Sequence, residues 1–391
     1  MTFDSPIVRH GRQPRANPWL RLIGVIASIA GVVAVSAVGV VGLQAVQAVV
    51  VLQNDSFELA GGSVPSIGEI EGGLNMLVVG SDQRDGNNSM IGGDGASLND
   101  VNMIVHIPDD HSSIVVVSFP RDLMVPLPEC ENPETGATRG ASTQEQINTA
   151  LPYGMKCVVD TFQNLTGLNI QYAAKITMNG VIRMADAVGG VDVCITGGDL
   201  YDPDSKVYDV PGGRPLSLTE GEHTITGAEA LAFLRSRHGV ADGSDLGRIS
   251  SQQQYMSSLL RKLDENGTLT DPGQLYALAN AAIDTASTGD LTLSSSLASL
   301  DTMVALAGIV RDVPLKKIAF VQYPTVYGTG EFASRVFPAT PAADEMMTAL
   351  QEDRFVIANN GGSGKSGGKK TQNVDTTGQL ATDTTCAVAN N

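Results

Sequence analysis

The chain has 391 residues, 42% hydrophobic and 17% charged, with a formal net charge of −17. That length suits one large domain or two ordinary ones, with targeting or tail segments besides. Residues 1–52 set Arg9, Arg12, Arg15 and Arg21 against Asp4, a net of +3, so residues 53–391 carry −20. A body that acidic cannot release counterions from a nucleic-acid backbone, which excludes nucleic acid as the main partner.

Residues 1–21 read as a cytoplasmic tail. No charge falls between Arg21 and Asp55, and Leu22–Val51 is almost wholly Val, Ala, Ile, Gly and Leu. A bilayer core needs about 20 apolar residues, against about 7–15 in the apolar part of a cleaved signal. Residues 22–52 are therefore expected to form a single transmembrane signal-anchor helix, although Ala45–Ala48 leaves late cleavage open. The flanking arginines keep the N-terminus cytoplasmic, so the chain reads as a single-pass cell-membrane protein whose remainder is extracytoplasmic. Residues 53–72 read as a polar linker.

The first packed strand is Asn75–Val79, followed by a Gly- and Asn-rich loop. Val101–Ile107 and Ser113–Phe119 predict an antiparallel hairpin. A helix over Met155–Leu165 is stopped by Gly167. A strand (Ile170–Thr177), a helix (Asn179–Val188) and a strand (Val191–Ile195) come next. Thr226 and Glu229 form a capping box that opens a helix through Ser236. Further helices are expected over Arg248–Glu265, from Asp271-Pro272, over Ser294–Val310 and over Pro341–Arg354, with a strand at Lys317–Gln322. The fold class is α/β: a mixed, largely antiparallel central sheet sandwiched by helices, preceded by the transmembrane helix. One domain over 73–355 is the simplest division. Residues 356–391, rich in Gly, Ser, Lys and Thr, read as a low-complexity disordered tail, and removal of 359–391 is expected to leave the domain folded.

The four cysteines form no CxxC pair, and the five histidines show no zinc-like spacing. Cys130 and Cys157 flank a polar stretch and are the disulfide candidate for an oxidising compartment. Cys194, mid-strand in VDVCI, reads as a buried thiol; Cys386 lies in the tail with no readable partner. Gly362-Ser363-Gly364-Lys365-Ser366 imitates a phosphate loop, but the full motif needs glycine where Asn359 stands.

The arginines carry the chemistry. Between residues 53 and 260 there are eight (84, 121, 139, 183, 214, 235, 237, 248) against three lysines, and arginine is preferred where a planar fork must grip carboxylate or phosphate. Several stand beside acids at element ends: Asp82 and Arg84, Asp100, Arg121-Asp122, Arg235 with Arg237, Asp245 with Arg248. Arg235 and Arg237 splay by about 200° on a continuous helix, so both reach one anion only if the helix ends there, as Gly239 allows. The plainer alternative pairs each arginine with a neighbouring carboxylate. Together the pattern suggests a diphosphate gripped by guanidinium groups, with a divalent cation on carboxylates. GxSxG occurs only as Gly364-Lys365-Ser366-Gly367-Gly368, within the low-complexity tail, and no Ser-His-Asp triad can be assembled by spacing.

Seven ordered blocks give a resemblance to a known family: NMLVVGSDQR (75–84), NDVNMIVHI (99–107), VVVSFPRDLMVPLP (115–128), INTALPYG (147–154), MADAVGGVDV (184–193), ITGAEALAFLRSRHG (225–239) and SDLGRISSQQQ (244–254). The motif-bearing core, 74–262, resembles the LytR-CpsA-Psr family of cell-envelope proteins, and its composition is closer to actinobacterial members. The resemblance implies a phosphotransferase that moves a glycopolymer from a polyprenyl-pyrophosphate carrier to peptidoglycan as a phosphodiester, at the muramic acid 6-hydroxyl, in cell wall biogenesis. It implies Mg2+ (or Mn2+) on Asp82 and Asp100, one of which takes the acceptor's proton. It assigns Arg84, Arg121, Arg235 and Arg237 to the pyrophosphate, supported by Arg248 and Gln252, with Asp82, Asp100 and Arg121 catalytic and Asp122 orienting Arg121. An apolar slot between sheet and helix would hold the lipid. Many relatives have RxxRQ where this chain has Arg248-Ile249-Ser250-Ser251-Gln252, so Ser251 replaces an arginine. The rival readings are a non-catalytic lipid-linked glycan binding or wall-assembly protein and a two-carboxylate glycosidase; the latter leaves the arginines unexplained.

Overall fold

Alternation along the first three strands decides the architecture, because each strand carries apolar side chains on both faces and so demands cover on both sides. The computed structural model describes residues 56–59, 70, 72–83, 97–210, 212–268, 270–360 and 371–390. The expected cytoplasmic tail, the membrane helix and most of the linker lie outside these. Among the described residues no helix is long and apolar enough to cross a membrane.

The central sheet has seven strands: β1 (Leu74–Ser81), β2 (Asn99–Ile107), β3 (Ile114–Phe119), β4 (Tyr172–Thr177), β5 (Leu291–Leu293), β6 (Ile318–Gln322) and β7 (Gly378–Leu380), in the spatial order β5-β4-β1-β2-β3-β6-β7. Four neighbouring pairs are antiparallel, and β1–β4 and β3–β6 are parallel, which gives the expected mixed sheet. The helices are α1 (Met155–Thr166), α2 (Met178–Ala187), α3 (Gly227–Arg235), α4 (Asp245–Glu265), α5 (Pro272–Ser287), α6 (Leu300–Asp312) and α7 (Ala342–Gln351).

On one face Leu77, Val79, Ile104, Val115 and Val117 pack against Val158 and Phe162 of α1 and Met346 and Leu350 of α7. On the other, Leu74, Ile107, Val116 and Phe320 meet Ala286, Ala305 and the partly buried Met256 and Leu260. A small sheet, with Val191–Thr196 between Gly221–Ile225 and Ala387–Val388, forms a third core with α3 and Tyr255 of α4. α1 ends as expected: Gly167 adopts φ +66 and its N–H reaches the Gln163 carbonyl at 2.8 Å, a conformation glycine adopts without strain.

Three expectations are corrected. α6 starts at Leu300, not Ser294, because Ser294 continues the sheet: its N–H donates to the Ala173 carbonyl (2.8 Å) and its hydroxyl accepts from the Ala173 N–H (3.1 Å). The tail is not disordered over its described part. Thr371–Val374 pairs with Phe355–Ala358, β7 closes one edge of the central sheet, and Ala387–Val388 joins the small one. A tail without a core of its own orders here by completing existing sheets through backbone hydrogen bonds, and the Gln379 side chain adds bonds to the Gln253 carbonyl and Ser257 hydroxyl. Cys194 is not a thiol: it is bonded to Cys386, 192 residues away. Cys130 and Cys157 are bonded to each other, with Cα atoms 5.6 Å apart.

Closing a loop of that length stabilises a fold by up to about 5 kcal/mol in the chain-entropy picture. Cys386→Ser is therefore expected to lower the melting temperature strongly, and deletion of 371–391 to lower it further. An unchanged melting curve for both would show that the tail contributes nothing to the fold.

Candidate active site

β1 and β2 lie side by side with Gly80 opposite Val101, so Asp82 and Asp100 share one end of the sheet. Asp82 is fixed there by Leu98, whose N–H donates to Oδ1 at 2.7 Å. Arg121 and Asp122 follow β3, and α4 opens at Asp245 under the Ser244 hydroxyl, which accepts from the Gly247 N–H at 3.2 Å. These segments are joined by charge. Arg121 Nη1 donates to Asp100 Oδ2 at 2.7 Å, and its Nε lies 3.7 Å from both Asp122 and Asp245. Arg248 Nη2 reaches Asp245 Oδ1 at 2.6 Å and the Asp100 carbonyl at 3.0 Å. Burial alone would lower the Arg121 pKa, but Asp100, Asp245 and Asp122 outweigh it and hold the guanidinium above its ordinary value. Arg248 is shifted the other way, because its burial, abetted by Arg121 and Arg237, exceeds the help of Asp245 and Asp100.

Arg235 is the last residue of α3, and the backbone leaves the helix at Ser236 (φ −59, ψ 129). Arg235 and Arg237 thereby line the same cavity, as the R-x-R spacing required. The stop is made less by Gly239 than by Asp202: one carboxylate oxygen accepts from the Ser236 hydroxyl (2.8 Å) and the N–H groups of Arg237 (3.1 Å) and Gly239 (3.2 Å). At the other end of α3 the capping box does not form. Thr226 is the N-cap residue but its side chain makes no capping bond, and Glu229 is drawn off to Arg214 at 3.1 Å.

The cavity holds about 520 Å³ and has two characters. Asp82, Asp100, Arg121, Arg235, Arg237, Arg248 and Gln252 border one part; Val101 and Met103 of the sheet, Val181 and Met184 of α2, Leu231 of α3 and Leu259 of α4 wall the rest. The expected apolar slot between sheet and helices thus exists, and it opens onto the arginines. Gln252 is anchored by donating to the Leu234 carbonyl at 3.0 Å. Arg84 lies outside the described residues. Asp122 sits behind Arg121, where it accepts from Gln146 (2.6 Å) and Arg335 (3.3 Å). Arg139, Arg183 and Arg214 are away from the cavity and pair with Glu145, Asp290, and Asp209 and Glu229, so for these three the plainer alternative holds.

Among the described residues Asp100 Oδ1 is buried with no hydrogen-bond partner, while Oδ2 is on Arg121. Among the described residues no three His, Cys, Asp or Glu side chains cluster tightly enough to hold a metal. Magnesium is commonly bound by one or two carboxylates with phosphate oxygens and water completing the shell, so Asp82 and Asp100 fit such an ion only together with an anionic ligand. Ser251 is 2% exposed with its hydroxyl toward the Gly247 carbonyl (3.5 Å), so the departure from RxxRQ lies in the helix packing. Sequence reasoning overlooked Asp202 and Arg335, which carry no local signal, and underused Asp245, visible in SDLGR.

A family model described as the LytR_cpsA_psr family matches residues 50–352. The chain is 32% identical over 237 residues to the cell wall biosynthesis protein LcpA of Corynebacterium glutamicum, covering 54% of this chain and 44% of that protein. It is 25% identical over 219 residues to the polyisoprenyl-teichoic acid–peptidoglycan teichoic acid transferase TagU of Oceanobacillus iheyensis, covering 54% of this chain and 58% of that one. The chain thus spans about half the length of the curated relatives it matches. Its fold resembles the LytR-Csp2A-Psr enzyme from Actinomyces oris at a TM-score of 0.53 and 19% identity, over 76% of this chain and 96% of that one.

Side-chain exposures of 11% for Asp245 and 7% for Arg248 make theirs a buried pair. Removing one partner of such a pair costs roughly 3–5 kcal/mol. Asp245→Ala is expected near the lower end of that range in chemical denaturation, since Arg248 keeps the Asp100 carbonyl. Arg183→Ala, whose pairing with Asp290 leaves the arginine 42% exposed, should fall within about 1 kcal/mol of wild type.

Proposed function

The chain belongs to the LytR-CpsA-Psr family, and on that premise we propose that it transfers a glycopolymer from a polyprenyl-pyrophosphate carrier to peptidoglycan, forming a phosphodiester in cell wall biogenesis. The observation that carries this reading is the single cavity in which an apolar slot runs into a group of arginines. A polyprenyl pyrophosphate has the same two parts in the same order. The name of the TagU relative, a polyisoprenyl-teichoic acid–peptidoglycan teichoic acid transferase, supports the substrate class.

The apolar walls take up the polyprenyl chain and exclude water from it. Arg121, Arg235 and Arg237 grip the pyrophosphate, with Arg248 and Gln252 holding the wall behind them; phosphoryl transfer asks mainly for such positioning and charge neutralisation. An acceptor hydroxyl of peptidoglycan attacks the phosphorus that bears the glycan. The new P–O bond forms as the bond to the bridging oxygen breaks, polyprenyl phosphate leaves, and one of Asp82 and Asp100 takes the hydroxyl proton. These two carboxylates would also hold the magnesium or manganese ion, whose charge would offset that of the phosphates. We further propose that residues 22–52 anchor the chain in the cell membrane with the domain outside, a placement supported by the two disulfides, which suit an oxidising compartment.

Full-length protein in detergent would be mixed with magnesium, a polyprenyl-pyrophosphate glycan and peptidoglycan fragments, and the product sought by mass spectrometry. Wild type is expected to give the phosphodiester, with Arg235→Ala and Asp100→Ala slower by about 100-fold or more. Tight, arginine-dependent donor binding without product would overturn transfer in favour of a binding or assembly protein.

A further inference from the structure

Asp202 is 1% exposed and lies on no catalytic motif of the chain. Among the described residues it forms no ion pair, and a buried carboxylate without a cation is unfavourable unless hydrogen bonds replace its water. Five do. Oδ2 takes the three donors of the Ser236–Gly239 turn. Oδ1 takes the N–H groups of Asp204 and Ser205, both at 3.0 Å, brought back by a register shift between Asp202 and Lys206 in the Leu200–Val207 strand. The Ser205 hydroxyl then ties that shift to α3 by donating to the Ala232 carbonyl at 2.5 Å. Burial would push the Asp202 pKa up, but the Ser236 hydroxyl and the backbone donors outweigh it and keep the group ionised below the usual carboxylate range.

The consequence falls on Arg237. If α3 continued, Arg235 and Arg237 would point about 200° apart. Asp202 captures the Arg237 N–H itself, so it fixes the departure from the helix at the residue whose guanidinium must swing back to the cavity. The Arg237 Nε is buried with no hydrogen-bond partner among the described residues, so no bond at that atom holds the guanidinium. We infer that Asp202 is a positioning residue that aims Arg237 at the pyrophosphate through the Ser236–Gly239 turn. The inference rests on the reading of the cavity as a polyprenyl-pyrophosphate site.

Both carboxylate oxygens accept from backbone N–H groups, so the amide of Asp202→Asn must turn its NH2 against donors on one side. The test measures binding of a polyprenyl pyrophosphate and of the matching polyprenol to full-length protein in detergent. Asp202→Asn is expected to weaken the pyrophosphate lipid about tenfold, as one lost charge-assisted contact does, and to leave the polyprenol unchanged. Arg237→Ala should give the same loss, and the double variant no more than Arg237→Ala alone. Ser236→Ala, which removes one donor and keeps the carboxylate, should shift the same ratio by a few-fold, and it carries the test if Asp202→Asn does not fold. Equal losses for both lipids, or additive losses in the double variant, would overturn the positioning role while leaving the function standing. A wild type that binds both lipids equally would instead overturn the pyrophosphate reading itself.

Discussion

The ion pair between Arg121 and Asp100 is the contact on which the site is built. It joins the turn after β3 to the start of β2, and through Asp245 and Arg248 it draws in the first turn of α4. Three carboxylates surround Arg121, and Arg248 and Arg335 share the pairing of Asp245 and Asp122. Arg235 and Arg237 border the same cavity, and Asp100 Oδ1 is without a hydrogen bond among the described residues.

The apolar half of the cavity follows from how the layers meet. β1 and β2 turn Val78, Val101 and Met103 toward α2, α3 and α4 instead of toward the tightly packed α1 side. Met178, Met184 and Met256 also line it. Unbranched thioether side chains adapt to irregular shapes, which leaves the walls of the slot adaptable. The polar part lies where one end of the sheet, the end of α3 and the start of α4 converge, so the segments that set the slot's walls also set the charges beside it.

Much of this was legible in the sequence, and the rest was hidden for identifiable reasons. β1 to β3, α1 with its Gly167 stop, and the PRD and R-x-R motifs are local patterns, and local patterns survive folding. Asp202 is invisible because the three bonds that matter to the turn run 34 to 37 residues away to donors that include main-chain N–H groups, and any sequence has those. Arg335 reaches Asp122 across 213 residues. The capping box read at Thr226 is locally sound but loses Glu229 to Arg214, a tertiary competitor. The strand character of Ser294 is likewise set by Ala173, far away in the chain.

The tail shows the same logic reaching the site itself. The Asn390 N–H donates to the Gly239 carbonyl at 3.1 Å, its side-chain amide donates to the His238 carbonyl at 3.1 Å, and the Ala241 N–H donates to Val388 at 2.7 Å. Gln254 of α4 steadies this strap by bonding both the Cys194 and Thr385 carbonyls, on either side of the disulfide. Gly239 is consequently held from both directions, by Asp202 through its N–H and by the strap through its carbonyl. The two supports are not equivalent. Asp202 bonds the backbone of Arg237 directly and acts on the guanidinium, whereas the strap bonds only the residues after it and acts on how far the turn can open. A composition that promises no core of its own can therefore still reach the site, because the tail adds backbone hydrogen bonds, one covalent link and a few small apolar side chains (Val374, Ala381, Ala387 and Ala389) to cores that other segments build.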